Sequence, residues 1–153
     1  MQIYFFRHAE AVDRTKWEDD DLKRPLTKNG IKSFKYFLKS IYKNLKKPDI
    51  IFSSEAERAK ETAEIIGKYL DSPISIDGRL NPGSDIMQYK LLIDEINEKG
   101  FKIVTIVSHE PDLSQYISFY LSDSNFSIKL KKGAFCHVKD KTLHNLIQPN
   151  ILE

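Results

Sequence analysis

Hydrophobic residues along this chain gather in two kinds of pattern: short unbroken runs, and longer stretches spaced by three or four positions. The unbroken runs are Ile3-Tyr4-Phe5-Phe6 after Gln2, Ile50-Ile51-Phe52 after Asp49, and Ile103-Val104-Thr105-Ile106-Val107. Runs that lack polar alternation suit strands covered on both faces, as in a parallel sheet. The spaced stretches predict helices. Thr27 is placed to cap one from about Lys28 to Lys43, with Ile31, Phe34, Phe37, Leu38 and Ile41 on its apolar face. A second runs from Glu55 to about Leu70 and carries Ala59, Thr62, Ala63 and Ile66 on one side. Asp85 to Lys99 predicts a third with a less regular stripe. A fourth spans Pro111 to about Tyr120, since proline suits the first helical position. Ile74-Ser75-Ile76 fits a short strand. Gly133–Lys139 and Thr142–Ile147 fit a closing hairpin, although its turn, Asp140-Lys141, lacks the glycine such turns favour.

Strands alternating with helices imply βαβ units with right-handed crossovers. The expected class is therefore α/β, a three-layer sandwich with a mostly parallel central sheet and helices on both faces. A length of 153 residues leaves little room for a second domain, and no repeat, low-complexity tract or Pro/Gly/Ser-rich linker divides the sequence. Residues 1–153 are accordingly read as one domain.

The three unbroken runs end in unusual chemistry. Arg7-His8 follow the first; Ser53-Ser54 follow the second, with Arg58 in the first turn of the next helix; Ser108-His109 follow the third. In open α/β sheets the carboxyl ends of the strands are where ligands bind. A guanidinium presents a planar fork matched to phosphate oxygens, and an imidazole can act as nucleophile, base or acid near neutral pH. Each residue alone has an ordinary explanation: a surface Arg beside a hydrogen-bonded His, an Arg58 paired along its helix with Glu55 or Glu61, a structural His109. If the strands are parallel, however, their ends share one edge and Arg7, His8, Arg58 and His109 can converge. A phosphate bound there would also compensate Arg58, a cation that the helix macrodipole disfavours in a first turn.

The segments Arg7-His8-Ala9-Glu10-Ala11, Lys23-Arg24-Pro25-Leu26-Thr27-Lys28-Asn29-Gly30, Ser53-Ser54 with Arg58-Ala59 and Glu61-Thr62-Ala63, Val107-Ser108-His109-Glu110-Pro111-Asp112-Leu113-Ser114, and Lys131-Lys132-Gly133-Ala134 span most of the chain. In that order and spacing the sequence resembles the histidine phosphatase superfamily, which has the phosphoglycerate-mutase-like fold, and within it the small SixA-type phosphohistidine phosphatases. The resemblance implies that His8 is phosphorylated during turnover and that Arg7, Arg58 and His109 hold the phosphate. It implies no metal and no cofactor. The Ser53-Ser54 turn is expected to position Arg58, with Ser53 as a further phosphate contact. These roles agree with what phosphoryl transfer requires: an in-line lone pair, positive charge around the equatorial oxygens, and a proton for the departing atom.

The proton donor is the least determined role. Mutases of this superfamily and the related larger phosphatases carry a glutamate between the second arginine and the second histidine. Here that stretch reads Arg79-Leu80-Asn81-Pro82-Gly83, without an acid. Small phosphohistidine phosphatases tend to carry an aspartate in the first loop, which points to Asp21, with Glu18, Asp19, Asp20 and Glu110 as alternatives. The resemblance thus implies a phosphatase acting on phosphohistidine in a protein partner. The alternatives are a phosphatase for a small phosphoester or nucleotide, and a phosphate-binding module without turnover.

Composition narrows the setting. Lys+Arg at 24 against Asp+Glu at 22 gives a net charge of +2, which makes no case for nucleic acid as a partner. The lysines at 43, 46 and 47 and at 129, 131 and 132 read as solvated faces. The acidic run Glu18-Asp19-Asp20-Asp21, inside the aperiodic stretch Asp13–Lys23, reads as a solvated loop that follows the Arg-His pair closely enough to fold over it. Cys136 is the single cysteine, so no intrachain disulfide can form, and its apolar neighbours predict a core position. Arg7 interrupts the first apolar stretch too early for a signal peptide, and no window is apolar enough for a membrane span. The cytoplasm is the expected compartment.

Overall fold

The computed structural model describes residues 1–122 and 126–149. Ten elements follow in order: β1 (Gln2–Arg7), α1 (Lys28–Ile41), β2 (Ile50–Ser53), α2 (Glu57–Leu70), β3 (Ile74–Ile76), α3 (Ile86–Glu98), β4 (Ile103–Ser108), α4 (Asp112–Ser122), β5 (Phe135–Lys139) and β6 (Thr142–Ile147). The strands make one sheet in the order β3-β2-β4-β1-β5-β6. β1, β2, β3 and β4 pair in parallel, while β5 runs antiparallel to both β1 and β6.

The period of two along β1 separates two cores. Ile3 and Phe5 face α3 and α4, packing with Val104, Ile106, Tyr89, Leu92, Tyr116 and Ile117. Tyr4 and Phe6 face α1 and α2, packing with Phe34, Phe37, Leu38, Ile51 and Ile66. The result is the expected three-layer α/β sandwich. Cys136 is fully buried in the first core, and burial pushes its thiol pKa up to about 12. Among the described residues no helix is long and apolar enough to cross a membrane.

Register is what builds the site. Arg7 lies beside Ser108, and Ser53 beside Val107. The chain therefore leaves β1, β2 and β4 at one level on one edge of the sheet, and three loops start there together.

Several boundaries move from their expected places for local reasons. Helix α2 begins at Glu57 rather than Glu55, because Asn81 draws Glu55 outward: the Asn81 Oδ1 accepts from the Glu55 backbone N–H (2.9 Å) and its Nδ2 donates to Glu55 Oε2 (2.6 Å). Helix α1 ends at Ile41, where the chain tightens into a 3₁₀ turn over Tyr42–Asn44. The glycine-free turn between β5 and β6 does form, with Asp140 at φ 49° and Lys141 at φ 58°, two left-handed residues as a tight hairpin requires. Asp13–Lys23 is ordered by its own aspartates. Asp13 Oδ1 accepts from Thr15 N (2.8 Å) and Asp20 Oδ1 from Leu22 N (3.0 Å), capping short 3₁₀ turns over Arg14–Lys16 and Asp21–Lys23.

The first turn of α1 presses against the loop after β1. Thr27 caps the helix by accepting from Gly30 N (2.8 Å), and its hydroxyl donates to Glu10 Oε1 (2.7 Å), while Thr27 N donates to the Glu10 carbonyl (3.0 Å). Gly30 sits so close that a Cβ there would lie 2.1 Å from the Glu10 carbonyl oxygen. Gly30→Ala is therefore expected to destabilise by about 1–3 kcal/mol, the usual range for overpacking, although alanine is the better helix former. Thermal denaturation of the variant against wild type measures this, and an unchanged or raised Tm contradicts the close approach.

Candidate active site

His8 is the first residue beyond β1. Its backbone N–H donates to the Ser108 carbonyl (3.0 Å), and its own carbonyl accepts from Gly133 N (3.0 Å), so β4 and the loop before β5 fix its place. Gly133 adopts φ 75°, a conformation natural to glycine. The His8 ring is buried, and its Nδ1 lies 2.7 Å from the Ala9 carbonyl. A carbonyl only accepts, so Nδ1 carries the proton and Nε2 keeps a free lone pair. Burial lowers the His8 pKa to about 3. The Ala9 bond opposes that shift, and the charges of Arg58, Arg7 and Arg24 add to it. The imidazole is neutral at pH 7.

His109 stands just beyond β4, and the two imidazole centroids are 5.0 Å apart. Its Nε2 lies 2.9 Å from Ser54 Oγ, while its Nδ1 is buried with no hydrogen-bond partner. Burial, followed by the nearby His8 and the arginines, lowers its pKa to about 2. Arg7 is anchored by one bond from Nη1 to the Leu130 carbonyl (2.8 Å), and its Nε is buried without a partner.

Arg58 projects from the first turn of α2 and is only 3% exposed. Its Nη1 donates to the Asp21 carbonyl (2.7 Å) and its Nη2 to Asp21 Oδ2 (2.9 Å), leaving Nε buried and unpartnered. The ordinary pairing within the helix does not form: Glu61 accepts from Leu26 N (2.6 Å), and Glu55 bonds to Asn81. Thr62, one turn further along α2, donates to the Arg58 carbonyl (2.7 Å) and accepts from Ala9 N (3.1 Å), tying the helix to the loop that carries His8.

Arg7, His8, Arg58 and His109 line a single cavity of about 740 Å³, together with Arg24 and Asp21. Guanidinium groups with unpartnered nitrogens and two neutral imidazoles around one space have the chemistry to take an oxyanion. Among the described residues, no group of three or more His, Cys, Asp or Glu is placed to hold a metal ion.

Two expectations need correction. Ser53 is fully buried at the end of β2 and its Oγ donates to the Ser54 carbonyl (3.1 Å), so it does not reach the cavity. The hydroxyl that matters is on Ser54, which also bonds Asn81 Oδ1 (3.1 Å) and accepts from Ala56 N (3.1 Å). Asp21 does reach the cavity, but as an ion-paired carboxylate rather than an acid. Burial alone would raise its pKa, yet the bond from Arg24 Nε (2.9 Å) and the charges of Arg58 and Arg24 outweigh burial and hold it below the usual value. A carboxyl clamped by two guanidinium groups has no proton to offer near neutral pH. The Asp21 carbonyl and Oδ2 instead hold the two ends of the Arg58 guanidinium. Asp19 and Asp20 are exposed and engaged in turns of the same loop, and Glu18 is exposed as well.

Sequence reasoning assigned no role to Arg24, Thr62 or Asn81, and gave Ser54 only a place in the turn expected to position Arg58. Arg24 had a signal, since it stands beside Pro25 within a matching motif. Thr62 read only as part of an apolar face, and the partners of Ser54 and Asn81 exist only once β2 and the turn before α3 are brought together.

Known proteins share this architecture. The protein histidine phosphatase SixA in complex with tungstate superposes with a TM-score of 0.88 at 22% identity over the whole of both chains. The alpha-ribazole phosphatase of Shigella flexneri gives 0.77 at 19% identity, over 97% of each chain. A mycobacterial glucosyl-3-phosphoglycerate phosphatase gives 0.69 at 14%, over 89% of this chain and 88% of that one. At these identities the likeness establishes the fold. An uncharacterized protein of Picosynechococcus sp. is 26% identical over 135 residues, 87% of this chain and 81% of its own length. The profile of the histidine phosphatase superfamily (branch 1) matches residues 3–84, more than half of the chain and the part that supplies Arg7, His8 and Arg58, and the protein belongs to that superfamily.

Proposed function

We propose that the protein is a phosphatase that works through a phosphohistidine intermediate on His8 and needs no metal, and that it removes phosphate from phosphohistidine in a protein partner. The observation that carries the mechanism is the His8 ring: neutral, with its proton held on Nδ1 by Ala9, and its Nε2 lone pair free in a cavity that Arg7, Arg58 and His109 also line. Nε2 attacks phosphorus in line with the leaving atom. Arg7 and Arg58 bind the equatorial oxygens; His109 Nε2–H is committed to Ser54, so its Nδ1 joins them as a donor when it takes up a proton beside the phosphate dianion. Water then hydrolyses the phosphohistidine. Because the nucleophile is already deprotonated, no base is needed to activate it.

The protein substrate is supported by the leaving group and by access. The P–N bond of a phosphoramidate is weak and departs with less help than an alkoxide, which suits a site whose first-loop aspartate is an anchor. Only a short stretch links β3 to α3 beside the cavity, and Pro82, Arg14 and Lys16 form an exposed rim that leaves room for a histidine presented on a protein surface. The cytoplasm is the compartment this reading implies, and neither nucleic acid nor a membrane enters it. A second reading, hydrolysis of a small phosphomonoester, draws on the likeness in fold to alpha-ribazole phosphatase and glucosyl-3-phosphoglycerate phosphatase.

Turnover of a phosphohistidine-bearing protein against ordinary phosphomonoesters, in metal-free buffer with EDTA, tests the proposal. The expected result is preferential release of phosphate from phosphohistidine, unaffected by the chelator. Preference for a small phosphomonoester favours the second reading. Activity lost with EDTA and restored by a divalent ion overturns the metal-free mechanism.

A further inference from the structure

With Asp21 committed to Arg58 and Arg24, the proton for the leaving atom needs another source, and Glu110 lines the cavity that holds His8. It follows His109 between β4 and α4 and is partly buried. Its Oε2 accepts a hydrogen bond from Ser114 Oγ (2.7 Å), which fixes the carboxyl from the first turns of α4. Its Oε1 is buried and has no hydrogen-bond partner. An ionised carboxylate with a buried, unsatisfied oxygen is costly, whereas a neutral carboxylic acid carries a proton it can donate.

Building on the phosphatase reading above, we propose that Glu110 is the general acid that protonates the leaving atom as His8 attacks. In that step a bond forms between His8 Nε2 and phosphorus while the bond from phosphorus to the leaving atom breaks. The electron pair of the broken bond stays on the leaving atom and takes the Glu110 proton. Glu110 is then a carboxylate. When water attacks the phosphohistidine, the bond from phosphorus to Nε2 breaks, its electron pair returns to the imidazole, and the carboxylate takes a proton from the attacking water. Both residues are back in their starting states.

The groups facing Glu110 agree with this role. Burial raises its pKa above the ordinary carboxyl value. The Ser114 bonds and the Arg7 charge on β1 oppose the shift, and Asp112 on α4 adds to it. His109 precedes it in the chain, and Tyr89 on α3 is a buried phenol whose own pKa rises through burial and then through Asp112 and Glu110. The chain thus pushes two carboxyls of one site apart, Asp21 down and Glu110 up, as acid–base chemistry at a single pH requires.

The test uses the whole protein and two substrates: an alkyl phosphate, whose oxygen leaves only with a proton, and nitrophenyl phosphate, which needs little protonation. kcat/KM is the quantity to compare, because it reports phosphorylation of His8 and not later hydrolysis of the intermediate. Glu110→Gln keeps the shape and an oxygen for Ser114. It is expected to lower kcat/KM for the alkyl phosphate by about 100-fold or more, the range for loss of a general acid, while nitrophenyl phosphate changes little. In wild type, kcat/KM for the alkyl phosphate declines as pH rises through the Glu110 pKa, and that decline disappears in the variant. Ser114→Ala, which frees the carboxyl without removing it, shifts the position of the decline. Equal losses on both substrates, or a pH profile that Glu110→Gln leaves unchanged, overturn the assignment. A wild-type protein without turnover of either substrate or of phosphohistidine overturns the phosphatase reading itself.

Discussion

Replacing His8 with alanine is expected to abolish turnover and the phosphoenzyme together. Loss of a covalent nucleophile costs about 10⁴–10⁶-fold in kcat, and the arginine donors that remain cannot form a bond to phosphorus. Acid-labile phosphate on the protein after rapid quench, measured beside the steady-state rate, separates the outcomes. Wild type should show a labelled histidine and His8→Ala none. The variant should still bind an oxyanion such as tungstate, since Arg7, Arg58 and His109 line the cavity from separate elements. Retained turnover in a folded His8→Ala protein refutes covalent catalysis by this residue. A variant that neither turns over nor binds the oxyanion indicates instead that His8 holds the loop in shape.

Arg58→Ala is expected to have the next largest effect. An oxyanion donor in a water-excluded site contributes roughly 10²–10³-fold, and Arg58 both lines the anion site and pairs with Asp21, so the loss should reach at least the upper part of that range, about 4 kcal/mol. Arg58→Lys should recover little, because an ammonium cannot reproduce the fork that spans the Asp21 carbonyl and carboxylate. Asp21→Asn should lower kcat/KM less than Arg58→Ala does, and by the same factor for alkyl and nitrophenyl phosphates, as befits a residue that positions another. Substantial rescue by lysine would show that charge alone matters at this position. A leaving-group-dependent effect of Asp21→Asn would return the acid role to Asp21.

Much of this was legible before any coordinates. The unbroken apolar runs placed β1, β2 and β4, and the spaced stripes placed α1 and α2, because burial on one or both faces imprints a period on the sequence. The hairpin turn was harder to read: Asp140 and Lys141 adopt left-handed conformations with no glycine to announce them. Proximity along the sequence offered Glu55 and Glu61 as ordinary partners for Arg58, whereas its carboxylate partner lies 37 positions away at Asp21.

The sequence by itself determined the layered α/β fold and which side chains stand at the ends of the central strands, since residue type and period are local properties. Only the tertiary structure decided how those side chains are charged and paired. Whether a carboxyl at the site is an anchor or an acid depends on which groups from other elements surround it. Two arginines converge on Asp21, whereas Glu110 is partly buried with one oxygen on Ser114 and the other unpartnered. Likewise Ser54 rather than Ser53 meets His109, because Ser53 is sealed into the end of β2 and the next residue turns toward the neighbouring loop. Charge state and partner choice are set by what crosses from one loop to another, and chain order does not specify that crossing.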